Sequence, residues 1–292
     1  MYFESKILNV KPKKSKIHYI PDVIYSQVPT FEKSLHALQM DILLPQKNKP
    51  LPAVIFVTGG GFISSNRARC PQLRMHLAEA GYFVASINYR TAPNSKFPQP
   101  IDDVKTAINF LKANTQRFNL DTEKISVIGD SAGGYLATFA AAMNNPKICA
   151  AVSLYGISDL TKIADDFNDA MKESYNVAGS ISSLFVNGIP LFTGRGGSIH
   201  SDEKLTAAAN PLNYVTKNSA PMLLMHGTAD HIVSPSQTDL IFQALKNHGV
   251  DAERYLVPNA DHSDDFWVQD EVFDVIVEFL NKYSFRIDKV HV

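Results

Sequence analysis

Apolar positions along the chain fall into two rhythms that alternate. Short runs that are apolar at nearly every position, at 53–58, 82–89, 148–155 and 221–226, read as strands covered on both faces, and 252–257 reads as a further strand. Between them, segments at 72–80, 101–113, 236–247 and 266–281 space their apolar residues three and four apart, as helices with one buried face do. Two earlier segments, 18–28 and 38–44, read instead as a hairpin-like, half-exposed part of a sheet; the second alternates with period two and stops at Pro45. Strands separated by helices imply an α/β protein with a mostly parallel, doubly wound sheet and sites at the carboxyl ends of its strands.

The alternation breaks at Gly156 and resumes only after about residue 210. The intervening stretch includes the apolar Leu184, Phe185, Val186, Ile189, Leu191 and Phe192. So long an interruption is expected to be a functional insertion, a partly helical cap over 157–209 within one domain spanning 1–292. Residues 1–17 are polar, carry five lysines, and are expected to form a loose arm or edge strand.

Composition narrows the function classes. The 292 residues are 45% hydrophobic and 20% charged with a net charge of -1, which offers no electrostatic case for nucleic acid or an anionic membrane as main partner. The N-terminus lacks the apolar core of a secretory signal, and no apolar run approaches the ~20 residues of a membrane span. A cytoplasmic protein acting on small molecules is expected, with homo-oligomerisation left open. The two cysteines, Cys70 and Cys149, have no metal-ligand spacing. They are expected as buried free thiols at a helix start and in a core strand, and neither a metal nor a cofactor is implied.

The chemistry concentrates at 124–141, where a β-branched run meets Gly129-Asp130-Ser131-Ala132-Gly133 and turns helix-forming. This is the G-x-S-x-G pattern of a nucleophile elbow. A serine on a sharp strand-to-helix turn is held strained with its hydroxyl outward, and neighbouring backbone comes too close for side chains at the flanking positions. The following helix directs free N–H groups at the place where negative charge develops.

A serine hydroxyl needs a base, and the base needs an acceptor that fixes its tautomer. Of nine histidines, His18, His36 and His291 are peripheral, His76 is inside a helix, His200 lies in the insertion and His248 closes a helix. His262 follows the last strand, where a general base belongs; His226 and His231 flank another carboxyl-end loop and stand in reserve. Asp230, after the strand 221–226, is the expected orienting carboxylate, because Asp261, Asp264 and Asp265 are too near His262 in sequence to reach Nδ1 while leaving Nε2 free. The run Gly59-Gly60-Gly61 ends a buried strand, where glycines are entropically costly unless backbone must approach closely. Its N–H groups, with that of Ala132, are the expected oxyanion donors.

Thr58-Gly59-Gly60-Gly61-Phe62, Tyr89-Arg90-Thr91-Ala92-Pro93, Gly129 to Gly134, Asn210-Pro211-Leu212, His226 to Asp230 and Asp261-His262, in this order, resemble the α/β-hydrolase esterases. The resemblance covers about residues 18–283. It is nearest to the hormone-sensitive-lipase-like carboxylesterases and the acetyl-xylan or feruloyl esterase branch. It implies an α/β-hydrolase fold and hydrolysis of small carboxylic esters through an acyl-enzyme. Ser131 would be nucleophile, His262 base and then acid, Asp230 the orienting carboxylate, and Gly60, Gly61 and Ala132 the oxyanion donors. Tyr89, Arg90 and Pro93 match a segment expected to be structural support. Where the family usually has His before the glycines this chain has Thr58, whose reach is shorter and which is expected still to make a hydrogen bond that steadies the loop. The same site would also serve an arylformamidase or amidase, and a non-catalytic ligand-binding homologue would be expected to lack one of the three side chains. Phe266 and Trp267, with the apolar residues of the insertion, suggest either a small hydrophobic pocket or simple packing of the insertion onto the body.

Overall fold

The computed structural model describes residues 6–29, 34–189 and 197–285; Leu191, Phe192 and His291 lie outside them. Two long strands, β1 (Ile17–Pro29) and β2 (Leu35–Pro45), pair antiparallel; the period-two pattern of β2 does not carry over into burial, because Met40 to Leu43 are all buried, Asp41 among them. Then come β3 (Leu51–Val57), α1 (Pro71–Glu79), β4 (Phe83–Ile87), α2 (Gln99–Ala113), the short α3 (Thr115–Phe118), β5 (Leu120–Asp130) and α4 (Ala132–Met143). The third helix is a single turn that the apolar spacing does not announce.

After β6 (Ala150–Leu154), the region 157–209 holds a 3-10 turn at Leu160–Lys162 and three short helices among its described residues. These are α5 (Asp169–Asn176), α6 (Ile181–Asn187) and α7 (Glu203–Ala208). The alternation then closes with β7 (Met222–Gly227), α8 (Ser236–Asn247), β8 (Ala252–Val257) and α9 (Asp270–Ser284). The expected last helix over 266–281 is instead a 3-10 turn at Asp265–Val268 followed by α9, because Gln269 is extended (φ -90, ψ 147) and caps the second piece.

The eight strands run in the order β1-β2-β4-β3-β5-β6-β7-β8. From β4 to β8 every pairing is parallel, and β2 joins β4 antiparallel. β3, β4, β6 and β7 are buried along their whole length, and the alternation of side chains sorts them into two cores, whereas β8, at the edge of the sheet and carrying Glu253 and Arg254, is mostly half-buried or exposed. Ala53, Ile55 and Val57 of β3 face α2, α4 and α8, while Val54 and Phe56 face α1 and α9. All but the last residue of α4 is buried, so this helix is apolar and small all round, as its position behind the central strands demands.

Among the described residues, no helix is long and apolar enough to cross a membrane. Both cysteines are free. They are half-buried rather than enclosed, and Cys149 stands just ahead of β6 instead of within a strand. Burial pushes the Cys70 thiol up to about 12, so it is a poor nucleophile.

Candidate active site

β5 delivers the chain into a turn that only a particular sequence can make. Ser131 sits at φ 52, ψ -119, a strained position for a residue with a side chain, and its N–H donates to the Leu154 carbonyl at 2.9 Å. A Cβ on Gly129 would lie 2.1 Å from the Gly133 carbonyl oxygen, and one on Gly133 would lie 1.9 Å from the Val57 oxygen. The flanking glycines of the motif are therefore required by contact with backbone.

Two loops at the carboxyl end of the sheet bring the remaining groups over Ser131. Gly227, at the end of β7, abuts the Ala260 carbonyl, where a Cβ would be 2.2 Å away, which docks the Asp230 loop on the His262 loop. His262 Nδ1 lies 2.8 Å from Asp230 Oδ2, and His262 Nε2 lies 2.9 Å from Ser131 Oγ. An ionised carboxylate can only accept, so Nδ1 carries the proton and Nε2 is left to accept from the serine hydroxyl. Asp230 Oδ1 accepts the N–H groups of Ile232 and Val233 at 2.9 and 2.8 Å. Burial pushes this carboxyl's pKa up, but hydrogen bonds from His226, His262 and the Val233 N–H outweigh it and hold the group well below the usual carboxylate range.

The structure brings Ser131, His262 and Asp230 into one hydrogen-bonded line, and places the rejected candidates elsewhere. Asp261 receives His231 Nδ1 at 2.6 Å and the His262 N–H at 2.6 Å, so it ties the two loops together. Asp264 accepts the Asp261 N–H at 2.7 Å and the Phe266 N–H at 3.0 Å. Trp267 is buried, donates Nε1–H to the Asp261 carbonyl, and packs edge-on to Tyr155, which packs in turn on the His262 ring at 4.8 Å. Trp267 thus supports the His262 loop and not the insertion, and it lines a small cavity with Tyr155 and Phe273; Phe266 is exposed.

The glycine loop is held by contacts that the residue types alone do not disclose. Gly59 donates its N–H to Asp130 Oδ1 at 2.8 Å, which removes Gly59 from any role toward a ligand. The Gly60 carbonyl accepts from Ile63 and Ser64, and Gly60 and Gly61 take φ 144 and 58. Among the described residues nothing accepts from the N–H groups of Gly60, Gly61 and Ala132. The expected steadying bond from Thr58 is not made. Its hydroxyl is buried with no partner among the described residues, and it is the Thr58 carbonyl that is engaged, by the Tyr89 hydroxyl at 2.8 Å.

Tyr89 is thus a strut of the loop, as expected of its segment, and Arg90 clasps Asp103 with contacts of 2.6 to 3.0 Å. Among the described residues Asp130 Oδ2 is buried without a hydrogen-bond partner, and the Arg69 guanidinium stands 3.8 Å away. Burial raises the Asp130 pKa, and the Gly59 bond and Arg69 only partly offset that. The signal that could have revealed this role is the acidic residue inside Gly129-Asp130-Ser131, whose flanking position turns it toward the glycine loop. Among the described residues, no cluster of three or more His, Cys, Asp or Glu side chains could hold a metal ion.

The family profile BD-FAE matches residues 40–245. Esterase LipC of Mycobacterium tuberculosis is 30% identical over 232 residues, which are 74% of this chain and 54% of LipC. The chain spans about half the length of the curated relatives it matches. Among solved structures, a truncated form of a carbohydrate esterase from gut microbiota superposes with a TM-score of 0.78 at 22% identity, covering 94% of this chain and 99% of that one. MGS-M1, an α/β hydrolase enzyme from a Medee basin deep-sea metagenome library, gives a TM-score of 0.65 at 18% identity over 94% of this chain and 100% of that one. With the strand order, the elbow and the profile match in agreement, this chain belongs to the BD-FAE family and carries the α/β-hydrolase fold.

Proposed function

We propose that the protein is a serine carboxylesterase that hydrolyses short-chain or small aryl and acetyl esters through an acyl-enzyme. The observation that carries this reading is the unbroken hydrogen-bond line from Ser131 through His262 to Asp230, set beside three backbone N–H groups with no acceptor among the described residues. His262 Nε2 takes the hydroxyl proton as Ser131 Oγ attacks the ester carbonyl carbon, and Asp230 stabilises the imidazolium that forms. The carbonyl oxygen becomes an oxyanion facing the N–H groups of Gly60, Gly61 and Ala132, at the positive end of α4; one such donor is worth about 3 to 4 kcal/mol.

Collapse of this intermediate expels the alcohol with the proton from His262. Water, deprotonated by the same imidazole, then attacks the acyl-serine and releases the acid. All three side chains are present and connected, which favours an active enzyme over a ligand-binding homologue, and the esterase name of LipC favours esters over amides. The two unpaired thiols accord with a cytoplasmic location.

The test is hydrolysis of p-nitrophenyl esters from acetate to decanoate by wild type and Ser131→Ala. Activity that peaks at short chains and falls by about 10⁴ or more in the variant is expected. A wild type inactive on every ester, or activity that survives Ser131→Ala, overturns the reading.

A further inference from the structure

Asp230 has a second histidine on it. His226, the fifth residue of β7, is fully buried, and its Nε2 lies 2.8 Å from the Val233 carbonyl oxygen and 3.2 Å from Asp230 Oδ2. A carbonyl oxygen can only accept, so Nε2 carries the proton and this tautomer is fixed by the backbone. The same nitrogen also stands 3.2 Å from the carboxylate oxygen that receives His262. His226 Nδ1 is left an unprotonated acceptor with no partner among the described residues. A buried nitrogen without a partner is a standing cost that leucine or phenylalanine would avoid. The ring's contribution lies in its other nitrogen.

We propose that His226 is a positioning residue for the reaction, donating Nε2–H to Asp230 Oδ2, the oxygen that also receives His262, so that the carboxylate cannot rotate away from the His262 imidazole. The carboxylate is then held at four points: the N–H groups of Ile232 and Val233 on Oδ1, and the two histidines on Oδ2. The backbone bonds alone fix one oxygen; the His226 contact fixes the other. Because the Val233 carbonyl accepts from His226 and the Val233 N–H donates to Asp230, one residue sets the angle of both side chains. This inference rests on the role given to Asp230 in the proposed esterase mechanism.

The experiment compares His226→Gln, His226→Asn and His226→Phe. The terminal amide of Gln reaches the place of Nε2 and can still donate there, that of Asn reaches only the place of Nδ1, and Phe fills the volume with no donor. Active sites are counted by stoichiometric titration of Ser131 with a fluorophosphonate, so that misfolded protein drops out, and kcat and KM are measured per titrated site. His226→Phe and His226→Asn are expected to lower kcat about tenfold, the scale of one hydrogen bond to a charged acceptor, with KM within about twofold. His226→Gln is expected within about threefold of wild type. Should the Phe variant yield no folded protein, the Asn and Gln pair carries the comparison. Wild-type kcat per titrated site in the Asn or Phe variant, or a Gln variant as slow as Asn, overturns the proposal. Activity that survives Ser131→Ala would overturn the esterase reading itself, so the two failures are told apart.

Discussion

Gly59 donates its backbone N–H to Asp130 Oδ1 at 2.8 Å, across 71 residues of sequence. This bond joins the glycine loop to the residue immediately before Ser131, so the proposed oxyanion donors and the proposed nucleophile share one frame. Asn at position 130 keeps the accepting oxygen and loses the charge, whereas Leu loses both. Asp130→Asn is expected to retain kcat within about threefold, and Asp130→Leu to lower it about 10- to 100-fold, because a donor displaced by a fraction of an ångström misses the oxyanion. Steady-state kinetics on p-nitrophenyl acetate distinguishes these outcomes, and equal activity in both variants would remove Asp130 from the loop's support.

The same pair predicts the pH dependence of stability. Asp130's pKa is raised by burial, so its ionised form opposes folding at neutral pH, and that penalty fades as pH falls through the raised value. Asp130→Asn is therefore expected to melt higher than wild type at pH 8, with the gap shrinking toward pH 4. Asp230 has the opposite sign: its pKa is lowered, so it contributes stability that is complete above the unfolded value of about 3.9 and is lost as pH falls below it. Asp230→Asn is expected to melt below wild type at pH 7, with that gap narrowing on acidification toward pH 3. Scanning calorimetry of the three proteins between pH 3 and 8 checks both signs, and gaps that stay constant with pH would contradict them.

Alternation of strand and helix was legible because burial on two faces, one face or none leaves a period in the chain, and the order of Ser131, Asp230 and His262 was legible because each falls at a strand's carboxyl end. The elements missed are those decided by contacts between distant segments. Nothing local to Thr58 announces that its hydroxyl finds no partner while its carbonyl takes Tyr89, and nothing local to His226 separates a general base from a ring that donates to Asp230. The break at Gln269 was hidden because apolar spacing continues across it, from Trp267 to Val272 and Phe273.

Glycines around the elbow differ in what a methyl group would meet, and stability should follow. At Gly133 a Cβ would lie 1.9 Å from the Val57 carbonyl oxygen, whereas at Gly81, at φ 104, it would meet nothing within 4 Å. Gly133→Ala is expected to destabilise by roughly 4 kcal/mol or more, or to prevent folding, through forced separation of β3 and α4. Gly81→Ala carries only backbone strain, about 1 kcal/mol. Urea denaturation ranks the two, and a Gly133→Ala protein as stable as Gly81→Ala would show that the elbow is looser than its contacts imply.

Substrate size is expected to be set from α6. Phe185 stacks on Phe62 at 4.1 Å between ring centres, which fastens the helix over the glycine loop. One turn earlier, Ile181 projects onto Gly61, its Cδ1 3.4 Å from where a Cβ on that glycine would stand, and it is 44% exposed toward solvent. A half-exposed apolar side chain against a proposed oxyanion donor narrows the approach to Ser131 for long acyl chains and leaves short ones unhindered. Ile181→Ala is expected to raise kcat/KM for hexanoate relative to acetate about 5- to 10-fold, the scale of one or two methylenes in an apolar pocket. Phe185→Ala, which frees the helix, is expected to blur chain-length preference while lowering activity on all esters. An unchanged hexanoate to acetate ratio in Ile181→Ala would place the acyl chain on the other side of the glycine loop.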